Sequence, residues 1–590
     1  MKQNHGINLD NLIELAGFTI NHDQKEKLSK EIDEFLAYAE IINQASSDDY
    51  LPASHAVAKD TLIRNDQHKA WERLDALLTN APAIKDTSYL VPPQKGREGK
   101  DIEKEETGTN IKTNEYEAVI GLEVHAQLRT KSKLFCSCST EFGKSPNENT
   151  CPVCAGQPGV LPVLNKEAVN MAIRTGLAVN GIVNKTSIFA RKNYFYPDLP
   201  KAYQISQFEE PIITGGKVII EINETQKKIR LNRIHIEEDA GKMVHVGAPG
   251  IWGSKASAVD FNRCSVPLIE IVSEPDMSTP QEAKEYVIML RAILMGLQVC
   301  DGNMEEGSLR CDANVSIRKV GDKKLGTKTE VKNMNSFKAI ERALIFEIER
   351  QKKMVSNGIP IEQETRLWDD AGQKTILMRS KEESHDYRYF PDPDLLPITL
   401  TENWIDDLRK TLPPMPWESK EKYISNYEFT EDEALVFIHN PDYASFFETI
   451  LKHYNKPRAT ANWFFSELLS YISGNIDEIH LKPVDVADFL LRIEKGEISG
   501  KIGKSVLKKA FAKNKGLIQI IEEEGLKQID DPEEISRIID EIIQTHPDQV
   551  AEYKSGKAQV FGYLIGQVMK KSQGKASPGL VNRIMKEKLK

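Results

Sequence analysis

The run Val119-Ile-Gly-Leu-Glu-Val-His-Ala-Gln-Leu128 alternates apolar and polar side chains, the period of a half-buried β-strand. Ile120, Leu122, Val124 and Leu128 then face a core, and Glu123 and His125 leave the other face together. A carboxylate beside an imidazole on a rigid strand suits a metal or phosphate site. Two further carboxylates lie in apolar runs: Glu238 continues the parity of Ile234 and Ile236, and Glu270 sits inside Pro267-Leu-Ile-Glu-Ile-Val272. Burying a carboxylate is costly unless a cation meets it. Taken singly, each reads as a buried salt bridge; the four together read as an oxygen-rich site of the kind Mg²⁺ prefers.

Such a sheet accounts for only part of the chain. A length of 590 residues exceeds what one core fills and points to three or four domains. With 40% hydrophobic and 28% charged residues and no apolar run near 18 residues, the composition is that of a globular protein with no membrane span. The first residues, Met1-Lys-Gln-Asn-His-Gly-Ile, lack the apolar segment of a secretory signal, so the expected location is cytoplasmic. A net charge of −10 excludes an indiscriminately basic nucleic-acid binder but leaves room for a local basic surface.

Residues 1–95 read as a helical arm. Leu28, Ile32, Phe35, Leu36, Ala39 and Ile42 form one apolar stripe, followed by Pro-punctuated pieces such as Tyr50-Leu-Pro-Ala-Ser-His55 and Leu62-Ile-Arg-Asn-Asp66. Either this is a small independent bundle or it wraps over another surface. Residues 96–114 are charged and nearly devoid of apolar side chains, which predicts a flexible tether. Residues 115–405 mix alternating strands with amphipathic segments, giving an α+β domain with a large, mostly antiparallel sheet. After Leu412-Pro-Pro-Met-Pro416 the pattern is helical, divided here into 406–480 and a tail at 481–590.

Cys136-x-Cys138 and Cys151-x-x-Cys154 have the spacing of a four-thiolate zinc site, closed and therefore structural; free thiols left from an ancestral site are the alternative. Cys264, Cys300 and Cys311 are isolated and read as small buried hydrophobes. Gly500-Lys-Ile-Gly-Lys-Ser505 ends like a P-loop, but Ile498 stands where the first glycine belongs, so phosphate binding needs another grip. Over residues 551–590, nine Lys and Arg face two Glu. That is either a solvated helix face or a phosphate-tracking surface.

Gly121-Leu-Glu-Val-His125, Arg191-Lys-Asn-Tyr-Phe-Tyr-Pro-Asp198, Lys201-Ala-Tyr-Gln-Ile-Ser-Gln207, His235-Ile-Glu-Glu-Asp-Ala-Gly-Lys242, Pro267-Leu-Ile-Glu-Ile-Val-Ser-Glu-Pro-Asp276 and Glu305-Glu-Gly-Ser-Leu-Arg-Cys-Asp-Ala-Asn314 follow one another in the chain. They resemble, in order, the signatures of the B-subunit family of bacterial aspartyl/glutamyl-tRNA amidotransferases. The resemblance runs from about Tyr116 to Lys590, and the first 95 residues resemble the small C subunit of the same enzyme, so the chain looks like a fusion of the two.

That resemblance implies a catalytic domain distantly like glutamine synthetase. It implies ATP-dependent phosphorylation of the side-chain carboxyl of Glu on tRNA(Gln), or Asp on tRNA(Asn), and amidation by ammonia. It further implies His125, Glu238 and Glu270 as Mg²⁺ ligands with Glu123 close by, and a structural Zn²⁺ on Cys136, Cys138, Cys151 and Cys154. Arg191, Lys192, Lys201, Lys242, Arg310, Lys332 and Arg379 become candidate ATP contacts; without the resemblance each would be a solvated charge. The implied partners are the enzyme's amidase subunit, which supplies ammonia, the mischarged tRNA, and a non-discriminating aminoacyl-tRNA synthetase. The arm would clamp this chain to the amidase, and the tail would read the outer corner of tRNA. Two rivals stand beside this reading: an ATP-dependent ligase acting on a free amino acid, against which the basic tail speaks, and a catalytically silent tRNA-binding scaffold.

Overall fold

The alternation that defines residues 119–128 is one strand of a ten-stranded sheet. The structure, a computed structural model, describes residues 25–30, 61–71, 84–85, 88–91, 115–223, 225–246, 256–380, 386–472, 476, 480–526, 531–572 and 575–590. The chain divides into two units, Met1–Ala58 and Lys59–Lys590. In the first, residues 25–30 are helical; the rest of the apolar stripe and the tether at 96–114 lie outside the described residues.

In chain order the described strands of the second unit are β1 (Ile63–Arg64), β2 (Ile84–Lys85), β3 (Ser88–Val91), β4 (Tyr116–Gln127), β5 (Leu164–Asn165), β6 (Ile182–Val183), β7 (Thr186–Ser187), β8 (Ala190–Asn193), β9 (Tyr203–Ser206), β10 (Ile213–Thr214), β11 (Lys217–Ile222), β12 (Thr225–Glu238), β13 (Lys242–Val246), β14 (Ala256–Asp260), β15 (Pro267–Ser273), β16 (Leu309–Lys319), β17 (Thr329–Lys332), β18 (Glu364–Asp369), β19 (Lys374–Ser380), β20 (Phe390–Pro391) and β21 (Ile398–Thr399). The large sheet runs β19-β18-β17-β16-β4-β15-β12-β10-β6, with β11 also on β12. Its β17–β18 pair is parallel and the other pairs are antiparallel.

One face of the sheet is dry. Ile120, Leu122 and Val124 of β4 are fully or almost fully buried, as are Ala313 and Val315 of β16 and Ile269 and Ile271 of β15. The helices Pro280–Gly296 and Phe337–Ser356 cover them. Each starts where its sequence supplies a cap. Thr279 and Glu282 form a reciprocal capping box with Pro at the first position, and Ser336 accepts from the amide of Ala339. Ala283, Tyr286, Val287, Leu290, Ile293 and Leu294 return on one side of the first helix, so its buried stripe lies along the sheet. The opposite sheet face carries the charged residues.

The helices from Pro416 onward extend this core through Leu517, Ile520 and Ile521, past the division expected near 480. A separate core begins at Ile535 and is completed by Leu564, Val568, Val581, Ile584, Met585 and Leu589. Residues 500–505, which end like a P-loop, open a helix that runs to Lys513 and is capped by Ser499. Among the described residues no helix is long and apolar enough to cross a membrane.

Candidate active site

Register, more than any single strand, builds the site. His235 of β12 lies opposite Glu270 of β15, Glu270 opposite His125 of β4, and His125 opposite Arg310 of β16. Four titratable side chains therefore stand in one row across four strands, on the face away from the core. Glu237, two residues beyond His235, reaches into the row: its Oε1 is 3.4 Å from His125 Nε2, and Glu270 Oε2 is 3.5 Å from the same nitrogen. His235 Nε2 lies 3.1 Å from Glu270 Oε2 and 3.7 Å from Glu237 Oε2. Ligand atoms of His125, Glu237 and Glu270 all fall within 4.8 Å of one another. Octahedral Mg²⁺ takes oxygens ~2.1 Å away, with opposed ligands ~4 Å apart, so the three side chains fit one divalent cation with small adjustment.

Charge balance at the row is tight. Burial opposes the charged form of His235, but Glu270 and then Glu237 outweigh it and raise its pKa to about 9. His125 is likewise raised against burial, by Glu270 and Glu237. Burial works against the Glu270 carboxylate too, yet His235 and His125 hold its pKa well below the ordinary range. A metal ion bound here would take over the role of these imidazolium protons.

Beside the row opens a 330 Å³ cleft whose lining includes Glu123, His125, Lys192, Glu270, Lys332 and Tyr387. Glu123 is one step along β4 from His125, faces Asp312 across to β16, and accepts from Asn314 Nδ2 at 2.9 Å. Burial, then Glu270 and Glu330, raise its pKa.

Glu238 is not in this site, and the placement expected for it requires correction. Adjacent residues of a strand face opposite ways, so Glu238 follows Ile234 and Ile236 into the core while Glu237 follows His235 onto the site. There Glu238 pairs with Lys201 and accepts from the amide of Ile205 at 2.9 Å.

The basic candidates divide in the same way. Lys192 lines the cleft 4.9 Å from the centre of the Tyr387 ring and has no ion-pair partner among the described residues. Lys332 lines it too, bonded to Asp312 at 2.5 Å and Glu330 at 2.9 Å. Arg310 ends the row and binds Asp239 at 2.8 Å. Arg191 is tied to Asp392 and Asp394 at 2.9 and 2.8 Å, and Lys201 to Glu238. Lys242 lies at the start of β13. Arg379 lies on β19, its side chain outside the described set. Sequence reasoning missed Glu237, His235, Asp312 and Glu330; with both parities of β12 buried from Ile234 to Glu238, no local pattern singled out the first two.

The second cluster is Cys136, Cys138, Cys151 and Cys154, all buried, with sulfurs within 4.8 Å of one another. Four sulfurs each ~2.3 Å from a tetrahedral Zn²⁺ stand ~3.8 Å apart, and those of Cys151 and Cys154 are 3.9 Å apart. The fully buried Lys133 places Nζ 3.4 Å from Cys154 Sγ, a cation suited to an anionic metal–thiolate centre.

In the tail, the helices Pro532–Thr545, Gln559–Lys571 and Pro578–Leu589 share the second core. Lys571 pairs with Glu541 and Lys588 with Asp540. Lys554, Lys570 and Arg583 have no ion-pair partner among the described residues.

Comparison with known proteins matches residues 118–406 to the GatB/GatE catalytic domain, residues 445–589 to the GatB domain, and residues 20–91 to the Glu-tRNAGln amidotransferase C subunit. Similar proteins include the aspartyl/glutamyl-tRNA(Asn/Gln) amidotransferase B subunit of Thermoanaerobacter pseudethanolicus, 51% identical over 477 residues, which are 80% of this chain and 99% of that protein. The B subunit of the same name from Persephonella marina is 48% identical over 480 residues, 81% of this chain and all of that protein.

Proposed function

The chain belongs to the B-subunit family of tRNA-dependent amidotransferases, with a segment of the C-subunit type ahead of the B-type body; from that premise we propose that the His125–Glu237–Glu270 row and its cleft carry the kinase half of the reaction. The family's reaction turns the side-chain carboxyl of Glu on tRNA(Gln), or Asp on tRNA(Asn), into an amide. A carboxylate does not react with ammonia directly, since oxide would have to leave. Phosphorylation solves this: a carboxylate oxygen attacks the γ-phosphorus of ATP, the bond to the bridging oxygen breaks, and ADP leaves. Ammonia then adds to the acyl carbon and loses a proton as inorganic phosphate departs.

His125, Glu237 and Glu270 would hold Mg²⁺, with Glu123 one step away on the same strand. When bound, the ion supplies charge neutralisation on the phosphate oxygens. The chain's own part is positioning and electrostatics. Lys192 lines the cleft and would draw the anionic end of ATP toward the row; Lys332 beside it is held by Asp312 and Glu330. Arg310, fixed by Asp239, keeps a positive charge at the row's far end. Tyr387, lining the cleft, carries the Lys192 ammonium 4.9 Å from its ring centre and helps to position it.

A likeness of the catalytic sheet to glutamine synthetase belongs to this reading, as do Zn²⁺ on the four cysteines and recognition of tRNA by the tail. Ammonia would come from a partner amidase docked by the N-terminal arm.

The observation that carries the proposal is the row itself: two imidazoles and two carboxylates within ~4 Å, opening on a cleft lined by carboxylates and lysines, among them Lys192. Glu270→Gln tests it. Formation of ADP that depends on mischarged tRNA and ammonia should fall at least a hundredfold, as expected for a lost metal ligand in phosphoryl transfer. Undiminished turnover in this variant would remove the row from the chemistry.

A further inference from the structure

Arg64 and Asp66 are the most heavily bonded residues of the segment 61–71, and nearly all they bond is the loop that carries the first cysteine pair and the strand beside it. Strand β1 runs parallel to β5, Ile63 opposite Leu164 and Arg64 opposite Asn165. From there the Arg64 guanidinium donates to Val163 O at 3.1 Å, to Ser132 Oγ at 2.9 Å, to Cys136 O at 2.5 Å and to Lys133 O. Asp66 accepts from the amides of Lys131 and Ser132 at 2.6 and 2.8 Å, from Ser132 Oγ at 2.5 Å and from Asn165 Nδ2 at 3.0 Å. Lys69 N adds a bond to Ser137 O at 2.8 Å. One arginine and one aspartate thus satisfy both carbonyls and amides within residues 131–136.

The middle of that loop is fixed by the body of the domain: Leu134 N donates to Ser265 O at 2.9 Å, Asn165 N donates to Leu134 O at 2.9 Å, and the Leu134 and Phe135 side chains are buried in the main core. Residues 131–139 contain no regular strand beyond the bridge between Ser132 and Ser139, and Arg64 and Asp66 hold the backbone on either side of that anchored pair, at residues 131–133 and at Cys136. A Zn²⁺ held by four thiolates carries a net charge of −2. Lys133 and Arg64 are the cations beside it: the first 3.4 Å from a sulfur, the second bonded to the carbonyl of a ligand residue.

We propose that the four-cysteine centre has a second function as the socket that docks the segment 61–71, so that metal loading and docking of this segment are reciprocally linked. Whatever orders the loop for one makes it ready for the other, and the coupling must be equal in both directions. Without metal, the part of the loop that carries Cys136 and Cys138 relaxes about the anchored Leu134–Phe135 pair, and the bonds to Arg64 and Asp66 weaken with it. Without Arg64, the cysteine pair loses an outer partner of the kind whose removal typically weakens metal affinity about 10- to 100-fold. The inference rests on the zinc reading of the four cysteines.

The test uses the full chain and two measurements: transfer of zinc to a chromogenic chelator, and hydrogen–deuterium exchange of the peptide covering 61–71. Arg64→Ala and Asp66→Asn should each speed zinc transfer about tenfold or more. Chelator-stripped wild-type protein should exchange in 61–71 about tenfold faster than the zinc-loaded form, while the peptide covering β4 stays protected. Leu62→Ala, altering a side chain 77% exposed in the same segment, should change neither. Zinc transfer at the wild-type rate in both socket variants, or identical exchange of 61–71 with and without metal, overturns the linkage and leaves the zinc reading intact. Wild-type protein that holds no zinc overturns both.

Discussion

Glu237 and Glu238 are adjacent, both buried and chemically identical, and the structure gives them different work. Replacing each by Gln in turn separates the two. Gln at 237 keeps the shape and one acceptor but removes the charge that faces His125 and His235 at 3.4 and 3.7 Å. If that carboxylate is a metal ligand, losing ~3 kcal/mol of transition-state stabilisation slows turnover about a hundredfold at 1.36 kcal/mol per decade. Gln at 238 leaves the Lys201 ammonium, with a side chain only 12% exposed, facing a neutral amide. Breaking one side of a buried ion pair costs ~3 kcal/mol or more of stability, felt by the fold and not by the transition state. The assay pairs steady-state ADP formation, driven by mischarged tRNA and ammonia, with a urea unfolding curve on the same preparations. Glu237→Gln should lose activity about a hundredfold and also lower the midpoint, because it removes a partner of the buried His125 and His235; Glu238→Gln should lower the midpoint and keep activity within a few fold. The reasoning is refuted if Glu238→Gln is as inactive as Glu237→Gln while unfolding at the wild-type midpoint.

The same row predicts a pH dependence. The pKa of His235 is about 9 in the fold and ~6.5 unfolded. Its contribution, ~3 kcal/mol, is therefore complete below about pH 6.5 and disappears as pH rises through 9. Glu270, held low, acts in the opposite sense, adding stability above ~4.5 that is lost on acidification. Unfolding midpoints of metal-stripped protein should fall between pH 6.5 and 9, and His235→Gln should flatten that fall. Elemental analysis of the purified protein should find about one equivalent of zinc, and replacing Cys151 and Cys154 together by Ser should abolish it and lower the melting temperature, since structural zinc contributes on the order of 10 kcal/mol. In the tail, deleting residues 551–590 would strip Leu564, Val568, Val581 and Met585 from the second core, so point changes are the cleaner probe. Lys554, Lys570 and Arg583 replaced together by Ala should reduce the slope of log affinity for tRNA against log salt by about 2 to 3; a filter-binding series that leaves the slope unchanged moves the RNA surface elsewhere.

How much of this was legible in the sequence depends on how local each fact is. The alternation in Val119–Leu128 identifies β4 and sends Glu123 and His125 to one face, because a strand's period acts over neighbouring residues alone. The two cysteine pairs are readable for a similar reason: short spacing brings each pair to one turn, and four sulfurs within 4.8 Å follow. Glu237 was not readable by hydrophobic parity, because β12 is buried on both faces from Ile234 to Glu238. When both parities are buried, the apolar pattern says where the core is but not which of two neighbouring carboxylates meets a partner. That choice is made by the register of β12 on β15, which sets His235 opposite Glu270, a relation between strands that no local pattern encodes. The partners of the basic residues are hidden for the same cause. Arg191 is claimed by Asp392, 201 positions away, and Lys201 by Glu238, 37 away. A cation whose charge is already answered inside the fold is a weak candidate for phosphate, and only long-range pairing reveals which cations those are. Lys192 differs, resting on the Tyr387 ring with no ion-pair partner among the described residues, whereas Lys332 lines the same cleft but is already answered by Asp312 and Glu330.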